Sequence, residues 1–234
     1  MLYLPRCNGG AFSLENSWQR KDGIMSVNET TVNVNSEKTI RSSRVRKMCG
    51  VAMLSAVAYI LQFLEFPLPM LIPAFIKLDF SELPALIGSF AYGPVAGVAI
   101  CFIKNVIHLV NSQSGGVGEL SNFLLGAVFV FTAGLVYKKS HSRKGAILGS
   151  VIGAVLMAVI SVVTNYYIVY PIYTAFMPME AIIGAYQAII PAVKNLWQCL
   201  LVFNLPFTFV KGMLNVLITF LIYKPLSPIL KGRN

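Results

Sequence analysis

Polar side chains recur inside a long apolar stretch of this chain, and their chemistry suits the binding of a polar solute. The stretch runs from Val51 to Tyr223. Its internal ammonium, imidazole, amide and hydroxyl groups belong to Lys104, Asn105, His108, Asn165, Asn204, Thr208 and Lys211. Because an ionisable side chain is costly at bilayer depth, it normally faces a bundle interior or a water-filled cavity. The pattern predicts a helical membrane protein with an internal polar site.

Lys104 and His108 form the first polar group, four residues apart and so on one face of a helix. One interpretation is a polar relay or a ligand contact. The other is internal pairing, with Lys104 contacting a carboxylate such as Asp79 or Glu82. We favour the pairing because buried charges are normally paired. No second His or carboxylate stands at ligand spacing from His108, so the sequence predicts no metal site there.

The last two apolar runs carry the second polar group. Asn204, Thr208 and Lys211 follow one another at spacings of four and three residues, and Asn165 immediately precedes Tyr166 in the run before. Such amide, hydroxyl and ammonium groups can orient a ligand in a mostly apolar pocket. The alternatives are interhelical hydrogen bonds, worth about 0.6 kcal/mol on average, and snorkelling of Lys211 to the membrane interface. Spacing alone leaves these alternatives open.

The composition excludes an ordinary soluble domain. The mean hydropathy is +0.69, with 56% hydrophobic and 12% charged residues. Several runs approach the ~20 apolar residues that span a bilayer as a helix, and the alternation typical of a membrane β-barrel is absent. The net charge of +10 comes from clusters at the ends of these runs rather than from one folded face, which argues against nucleic-acid binding.

The positions of the basic clusters predict the topology. Residues 38–47, 138–144 and 224–233 are each expected on the cytoplasmic side, where loops are enriched in Lys and Arg. An even number of spans must then separate the first two clusters. Leu83–Val110 is therefore expected to form two helices that meet at Gly93-Pro94, the first too short to cross ~30 Å of hydrocarbon unaided. The expected spans are Met48–Leu64, these two helices, Leu120–Tyr137, Gly145–Val169 and Leu196–Tyr223.

The predicted fold class is thus an all-α, multi-pass plasma-membrane protein with six spans and both termini in the cytoplasm. Its predicted domains are a disordered cytoplasmic leader (1–46), a membrane-embedded domain (47–226) and a basic cytoplasmic tail (227–234). A connector at Tyr173–Asn195, with a short amphipathic helix around Glu180–Ile190, is expected before the last span.

A proline-rich segment, Glu65–Phe80, follows the first span. Its residues Pro67, Pro69 and Pro73 prevent a regular helix, although the segment is apolar. We therefore expect it to pack on protein as a lid or a re-entrant loop, and favour the lid. Ser81, which comes next, is a candidate N-cap for the following helix.

The first span carries small residues at Ala52 and Ala56, which would let another helix approach closely. The two interpretations are docking of a partner and ordinary packing inside the bundle. Motifs for chemistry are missing: the chain has no P-loop, HExxH or GxSxG sequence. We therefore predict neither ATP hydrolysis nor another enzymatic activity, and no cofactor or metal.

Five sequence segments resemble the riboflavin-specific substrate-binding subunit, or S component, of energy-coupling-factor (ECF) vitamin transporters. They are KLDFSELPALIGSFAYGPVAG at Lys77–Gly97, IKNVIH at Ile103–His108, NFLLG at Asn122–Gly126, NYYIVYPIY at Asn165–Tyr173 and PFTFVKG at Pro206–Gly212. The resemblance covers essentially all of the chain after residue 45.

The resemblance implies a six-helix subunit that binds riboflavin, as a transported ligand, from outside the cell. Its partners would be a membrane-embedded coupling subunit, contacted by Ala52 and Ala56, and two cytoplasmic ATPases. The lid would cover the vitamin. The residues implied or inferred to bind it are Asn165, Lys211, Thr208, Asn204, Lys77, Asp79 and Tyr166. The family has Asn at the position of Thr208, so one flavin hydrogen bond is expected to change, and Asn204 is a candidate substitute.

Two other functions remain open from the sequence. The Thr208 departure is compatible with an S component for a different vitamin. Lys104 and His108 are compatible with a small secondary transporter that couples solute movement to protons.

Overall fold

A computed structural model describes residues 41–73, 76–112, 115–175 and 177–231, with side chains described to residue 222. The chain divides into two compact units between Met48 and Cys49. Of the first unit, the structure describes only the N-terminal end of helix α1. All other elements below belong to the second unit.

Five helical stretches in the described residues are long and apolar enough to cross a membrane. They are Arg41–Phe63 (α1), Pro94–Asn111, Val117–Ser140 (α4), Arg143–Tyr173 and Leu196–Ile222. Helix α1 is already helical at Arg41, so the predicted leader is helical over its last residues. Residues 1–40 of that leader, and 232–234 of the predicted tail, lie outside the described residues. The rest of the predicted tail continues the last helix to Lys231.

The predicted break in Leu83–Val110 is present. Helix α2 (Glu82–Tyr92) ends where helix α3 (Pro94–His108) begins, and a 3₁₀ turn, Leu109–Asn111, extends α3. Gly93 joins the two helices with φ 106°, a conformation that favours glycine. Helix α2 has 11 residues, nine of them buried, which fits an apolar helix enclosed by protein.

The proline-rich segment that is expected to form a lid, called the lid below, is irregular in its described residues apart from a two-residue antiparallel pairing of β1 (Phe66–Pro67) with β2 (Lys77–Leu78). Ser81 follows it at the N-cap position of α2. Its side chain makes no capping hydrogen bond there, so this part of the prediction was wrong. The Ser81 hydroxyl contacts Asp79 and Lys104 instead, because these buried charged groups compete for it.

The last two spans are each interrupted by a π-helical turn. Helix α5 (Arg143–Thr164) continues through Asn165–Val169 into α6 (Tyr170–Tyr173), and α8 (Leu196–Cys199) continues through Leu200–Asn204 into α9 (Leu205–Lys231). Between them lies α7 (Met179–Gln187), the short helix predicted for the connector. Turns of this type disturb the α-helical register and often occur at functional sites.

Glycines on α5 allow α4 and α5 to approach closely, a feature that our sequence analysis did not single out. A Cβ added at Gly149 would lie 2.9 Å from the backbone oxygen of Ala133. At Gly153 it would lie 2.8 Å from the backbone oxygen of Phe129. The small residues therefore let the two helix backbones meet.

Buried apolar side chains form two clusters. The bundle core joins α1, α2, α3, α4, α5 and α9, with Ile100, Phe129 and Met157 among its members. The lid core joins Ile72 of the lid to Tyr170, Ile182, Tyr186, Cys199, Leu200 and Phe203, among others. The second cluster therefore holds the lid and the connector helix together.

Candidate functional site

A cavity of about 430 Å³ lies between the bundle core and the lid core. Leu125 and Met157 of the bundle core and Tyr170 of the lid core all line it. Its volume falls within the range of about 300–1,000 Å³ that is typical of small-molecule sites. Six of the seven predicted binding residues line this cavity: Lys77, Asp79, Asn165, Asn204, Thr208 and Lys211.

A balanced set of buried charges forms part of the cavity wall. The Nζ atom of Lys211 lies 2.8 Å from Oδ2 of Asp79 and 3.2 Å from Oε1 of Glu82. Lys104 Nζ lies 3.7 Å from the same Glu82 oxygen. Two ammonium groups thus face two carboxylates, as buried charges require. The favoured pairing of Lys104 with a carboxylate is confirmed for Glu82.

Neutral polar groups connect these charges. Lys104 donates to Oδ1 of Asn122 at 3.2 Å, and Nδ2 of Asn122 donates to Asp79 at 3.3 Å. The backbone N–H of Ser81 donates to Asp79 Oδ1 at 2.9 Å. Burial alone would raise the pKa of the Asp79 carboxyl. The ammonium groups of Lys211 and Lys104 outweigh burial and hold this pKa well below its usual range. Asp79 is therefore ionised at neutral pH.

This arrangement leaves Lys211 with hydrogen-bonding capacity. An ammonium group carries three donors, and Lys211 donates one of them to Oδ2 of Asp79 at 2.8 Å. A further donor of Lys211 can contact a carbonyl or hydroxyl oxygen of a ligand in the cavity. Since the cluster is already neutral as a whole, it does not require an anionic ligand.

A second ionisable pair, His108 and Glu119, also lines the cavity. Nδ1 of His108 lies 2.9 Å from Oε1 of Glu119, and the hydroxyl of Ser112 donates to the other carboxylate oxygen at 2.8 Å. The imidazole ring lies against the ring of Phe63, with centroids 5.5 Å apart. His108 is thus held between a carboxylate and an aromatic ring at the end of α3.

Asn204 is held by the connector helix. The hydroxyl of Tyr186 donates to Oδ1 of Asn204 at 2.7 Å and shares a hydrogen bond of 2.5 Å with the hydroxyl of Tyr170. Burial raises the pKa of Tyr186 well above its usual range, so its hydroxyl remains protonated. This contact fixes a cavity-lining amide from outside the membrane spans.

The remaining predicted site residues occupy different positions. Asn165 is buried and accepts a hydrogen bond from Ser121 at 3.5 Å, and Thr208 is buried beside Lys211. Lys77 forms an ion pair with Glu65. Tyr166 is not among the residues that line the cavity, because consecutive residues of a helix point in different directions. The ring of Tyr166 contacts Tyr167 and Trp197 instead.

Ala52 and Ala56 are exposed on the surface of α1. Leu54 and Ala58, on another face of the same helix, are the residues that enter the bundle core. Packing among the residues that the structure describes therefore leaves the two alanines exposed.

Several cavity-lining residues were missed in the sequence, among them Gln62, Glu119 and Asn122. Gln62 and Asn122 satisfy the criterion that found Asn165, a polar side chain within an apolar run. Glu119 follows a Gly-rich turn and lies in the first turn of a helix, where an acidic residue is common because it complements the helix dipole. Its position in the sequence therefore did not indicate a role in a binding site. Its role becomes visible only when α3 and α4 are placed side by side.

Comparison with known proteins identifies the family of membrane proteins to which this chain belongs. Residues 46–223 match the family model of the ECF transporter substrate-specific component, and the chain belongs to this family. The chain is also similar to the solved S component of a bacterial ECF transporter, with a TM-score of 0.64 and 31% identity. That similarity covers 80% of this chain and 99% of the other.

Its relatives include proteins named for one vitamin. Riboflavin transporter RibU of Staphylococcus aureus is 32% identical over 198 residues, which cover 85% of this chain and 99% of the relative. Riboflavin transporter FmnP of Bacillus subtilis is 34% identical over 188 residues, which cover 79% and 94%.

Proposed function

We propose that this chain is the high-affinity riboflavin-binding S component of an ECF-type vitamin importer. The observation that carries the proposal is the 430 Å³ cavity lined by Asn165, Asn204, Thr208 and Lys211. It occurs in a member of the S-component family whose relatives are named riboflavin transporters. The chain is a transport subunit and not an enzyme.

The chemistry of the cavity suits this vitamin. Isoalloxazine is a flat, largely apolar ring system with a hydrogen-bonding edge, and it carries a hydroxylated ribityl chain. Met157, Tyr173 and Phe207 supply apolar walls, while Asn165 and Lys211 supply polar contacts. Riboflavin carries no strong charge, which agrees with a site whose buried ammonium and carboxylate groups already balance.

The proposed topology has six spans in the plasma membrane, with α2 as the short second span and both termini in the cytoplasm. The cavity would then open to the outside beneath the lid. Basic clusters support this orientation, since they lie around the start of α1, at the turn between α4 and α5, and around the end of α9. Lys138–Lys144 occupies that turn, at the junction of α4 and α5.

Energy for transport would come from partner subunits. The sequence contains no P-loop, so we propose a membrane-embedded coupling subunit together with two cytoplasmic ATPases. The exposed stripe at Ala52 and Ala56 is the proposed contact with the coupling subunit, because small residues permit close helix approach in lipid.

The binding proposal is tested by titrating the purified full-length chain with riboflavin, thiamine and biotin. We expect quenching of flavin fluorescence with a dissociation constant well below 1 μM, and calorimetric heat only for riboflavin. Binding weaker than micromolar, or equal binding of another vitamin, would contradict the proposal.

The docking proposal is tested by co-purification with the coupling subunit and ATPases. Ala52→Leu and Ala56→Leu should abolish co-purification and leave riboflavin affinity unchanged, because these side chains lie away from the cavity. Val163→Leu, which enlarges an exposed residue on α5, is the matched control. Normal co-purification of both alanine variants would remove the stripe from the interface.

A further inference from the structure

The cavity has two chemically different sides. Most of the apolar side chains that line it lie on α5, α6 and α9 or in the turns next to them, and they include Met157, Val169, Tyr173 and Phe207. The residues from α1, α3 and α4 are mostly polar. This polar side consists of Gln62, His108, Asn111, Glu119, Ser121 and Asn122.

Gln62, near the C-terminal end of α1, is held by a directed chain of hydrogen bonds. Nδ2 of Asn105 donates to the backbone oxygen of Cys101 at 2.8 Å. The Asn105 amide therefore turns its Oδ1 atom towards Gln62, where it accepts a hydrogen bond from Nε2 at 3.1 Å. Since a backbone oxygen can only accept, this chain fixes the orientation of both amides.

The remaining atom of the Gln62 amide is an acceptor. Gln62 is 2% exposed and lines the cavity. Among the residues that the structure describes, no group donates a hydrogen bond to its Oε1 atom. A buried acceptor without a donor is unfavourable, so the geometry requires a donor from the contents of the cavity.

We propose that Oε1 of Gln62 accepts a hydrogen bond from a hydroxyl group of the ribityl chain, and that Asn105 is the positioning residue that aims it. The inference rests on the proposed riboflavin function and adds a specificity-determining residue to it. A flat ring placed against the apolar side leaves its hydroxylated substituent facing the polar side. A hydroxyl is a neutral donor, which matches a neutral amide acceptor.

The test compares riboflavin with lumiflavin, which has the same ring system but a methyl group in place of the ribityl chain. Gln62→Met keeps the length of the side chain and removes the acceptor. It should weaken riboflavin binding about 10- to 100-fold, while lumiflavin affinity stays nearly constant. Asn105→Leu should reduce the same selectivity by a smaller factor. Gln198→Met, at an exposed glutamine on α8, is the matched control and should change neither affinity.

Each other outcome has a definite meaning. Equal weakening of both ligands by Gln62→Met, or no weakening of riboflavin, overturns the role of Gln62 and leaves the proposed function standing. The unsubstituted chain must also bind riboflavin more tightly than lumiflavin, a condition that does not depend on how well a variant folds. Equal affinities there overturn the inference alone. If the unsubstituted chain does not bind riboflavin, the proposed function fails and the inference fails with it.

Discussion

The bundle core and the lid core face each other across the cavity, and they differ in how their residues are distributed along the chain. The bundle core is built from long helices whose buried residues recur within each helix, as with Leu125, Phe129 and Ala133 of α4. The lid core takes single residues from separate segments, such as Ile72 of the lid and Ile182 of α7.

This difference indicates which side of the cavity is expected to be rigid and which is expected to move. Each helix of the bundle is stabilised by its own hydrogen bonds and by close contact with neighbours. The described part of the lid segment has a two-residue β pairing and a few turn hydrogen bonds, and it depends on contacts such as those of Ile72. Segments with few regular hydrogen bonds open locally at lower free energy than a packed core. The lid side is therefore the side expected to open for a ligand.

Lys211 connects the two sides, and its removal should have the largest effect. Lys211→Met leaves Asp79, at the end of the lid, without its closest cation, which should destabilise the fold by about 3–5 kcal/mol. Adding Asp79→Asn restores the balance, because Lys104 still faces Glu82. Thermal unfolding in detergent should show the loss and its recovery, while riboflavin binding stays weak in both variants. A double variant no more stable than the single one would contradict the charge-balance argument.

A matched pair of isoleucines separates the two cores. Ile72 in the lid core and Ile100 in the bundle core are both fully buried. Truncation to Ala should cost about 2–5 kcal/mol of packing free energy at either site. The loss should affect global unfolding at one site and ligand dissociation at the other. Ile100→Ala should lower the unfolding temperature of the whole protein. Ile72→Ala should mainly accelerate riboflavin dissociation in stopped-flow fluorescence, because it releases the lid. Equal losses of thermal stability would show that the lid is not a separate opening unit.

The bundle was accessible from sequence because hydrophobic runs, basic clusters and the Gly93-Pro94 break are local signals. A polar residue inside an apolar run is also a local signal, and it identified Asn165 and Lys211 as candidate site residues. The partners of those residues were harder to predict. Asp79 and Lys211 are separated by 132 positions, and only the fold brings them within 2.8 Å.

The lid core illustrates the limit of local signals most clearly. Nothing around Ile72 in the sequence indicates that it belongs to the same buried cluster as Tyr186 and Leu200, since these segments share no periodic pattern that could encode their packing. The π-helical turns were missed for a different reason. Asn165–Val169 and Leu200–Asn204 contain no residue that breaks an α-helix, but each turn ends two residues before a proline, Pro171 or Pro206. A proline has no N–H group and its ring crowds the carbonyl four residues earlier, so this local signal was present in the sequence.

A matched pair of glycines compares the packing of the two sides. An added Cβ at Gly153 of α5 would lie 2.8 Å from the backbone oxygen of Phe129, whereas at Gly184 of α7 it meets no atom within 4 Å. Gly153→Ala should therefore destabilise the protein by about 1–3 kcal/mol. Gly184→Ala should be neutral or stabilise it by up to about 1 kcal/mol, because Ala favours the helix. Unfolding temperatures measured side by side check this, and a loss at both positions would contradict it.

The smallest expected effect concerns the hydrogen bond from Tyr186 to Asn204, which joins the lid core to the cavity wall. Tyr186→Phe removes the hydroxyl that donates to Oδ1 of Asn204 and should cost about 1 kcal/mol. Because the ring remains, packing against Phe203 should persist, and the loss should fall on riboflavin affinity more than on unfolding temperature. The raised pKa of Tyr186 keeps its proton through neutral and mildly alkaline pH, so this hydrogen bond is lost only above the usual tyrosine pKa of about 10. Riboflavin titrations between pH 6 and 9 should therefore give a constant ratio between the affinities of the unsubstituted protein and the Tyr186→Phe variant. A ratio that changes across this range would contradict a protonated, donating Tyr186.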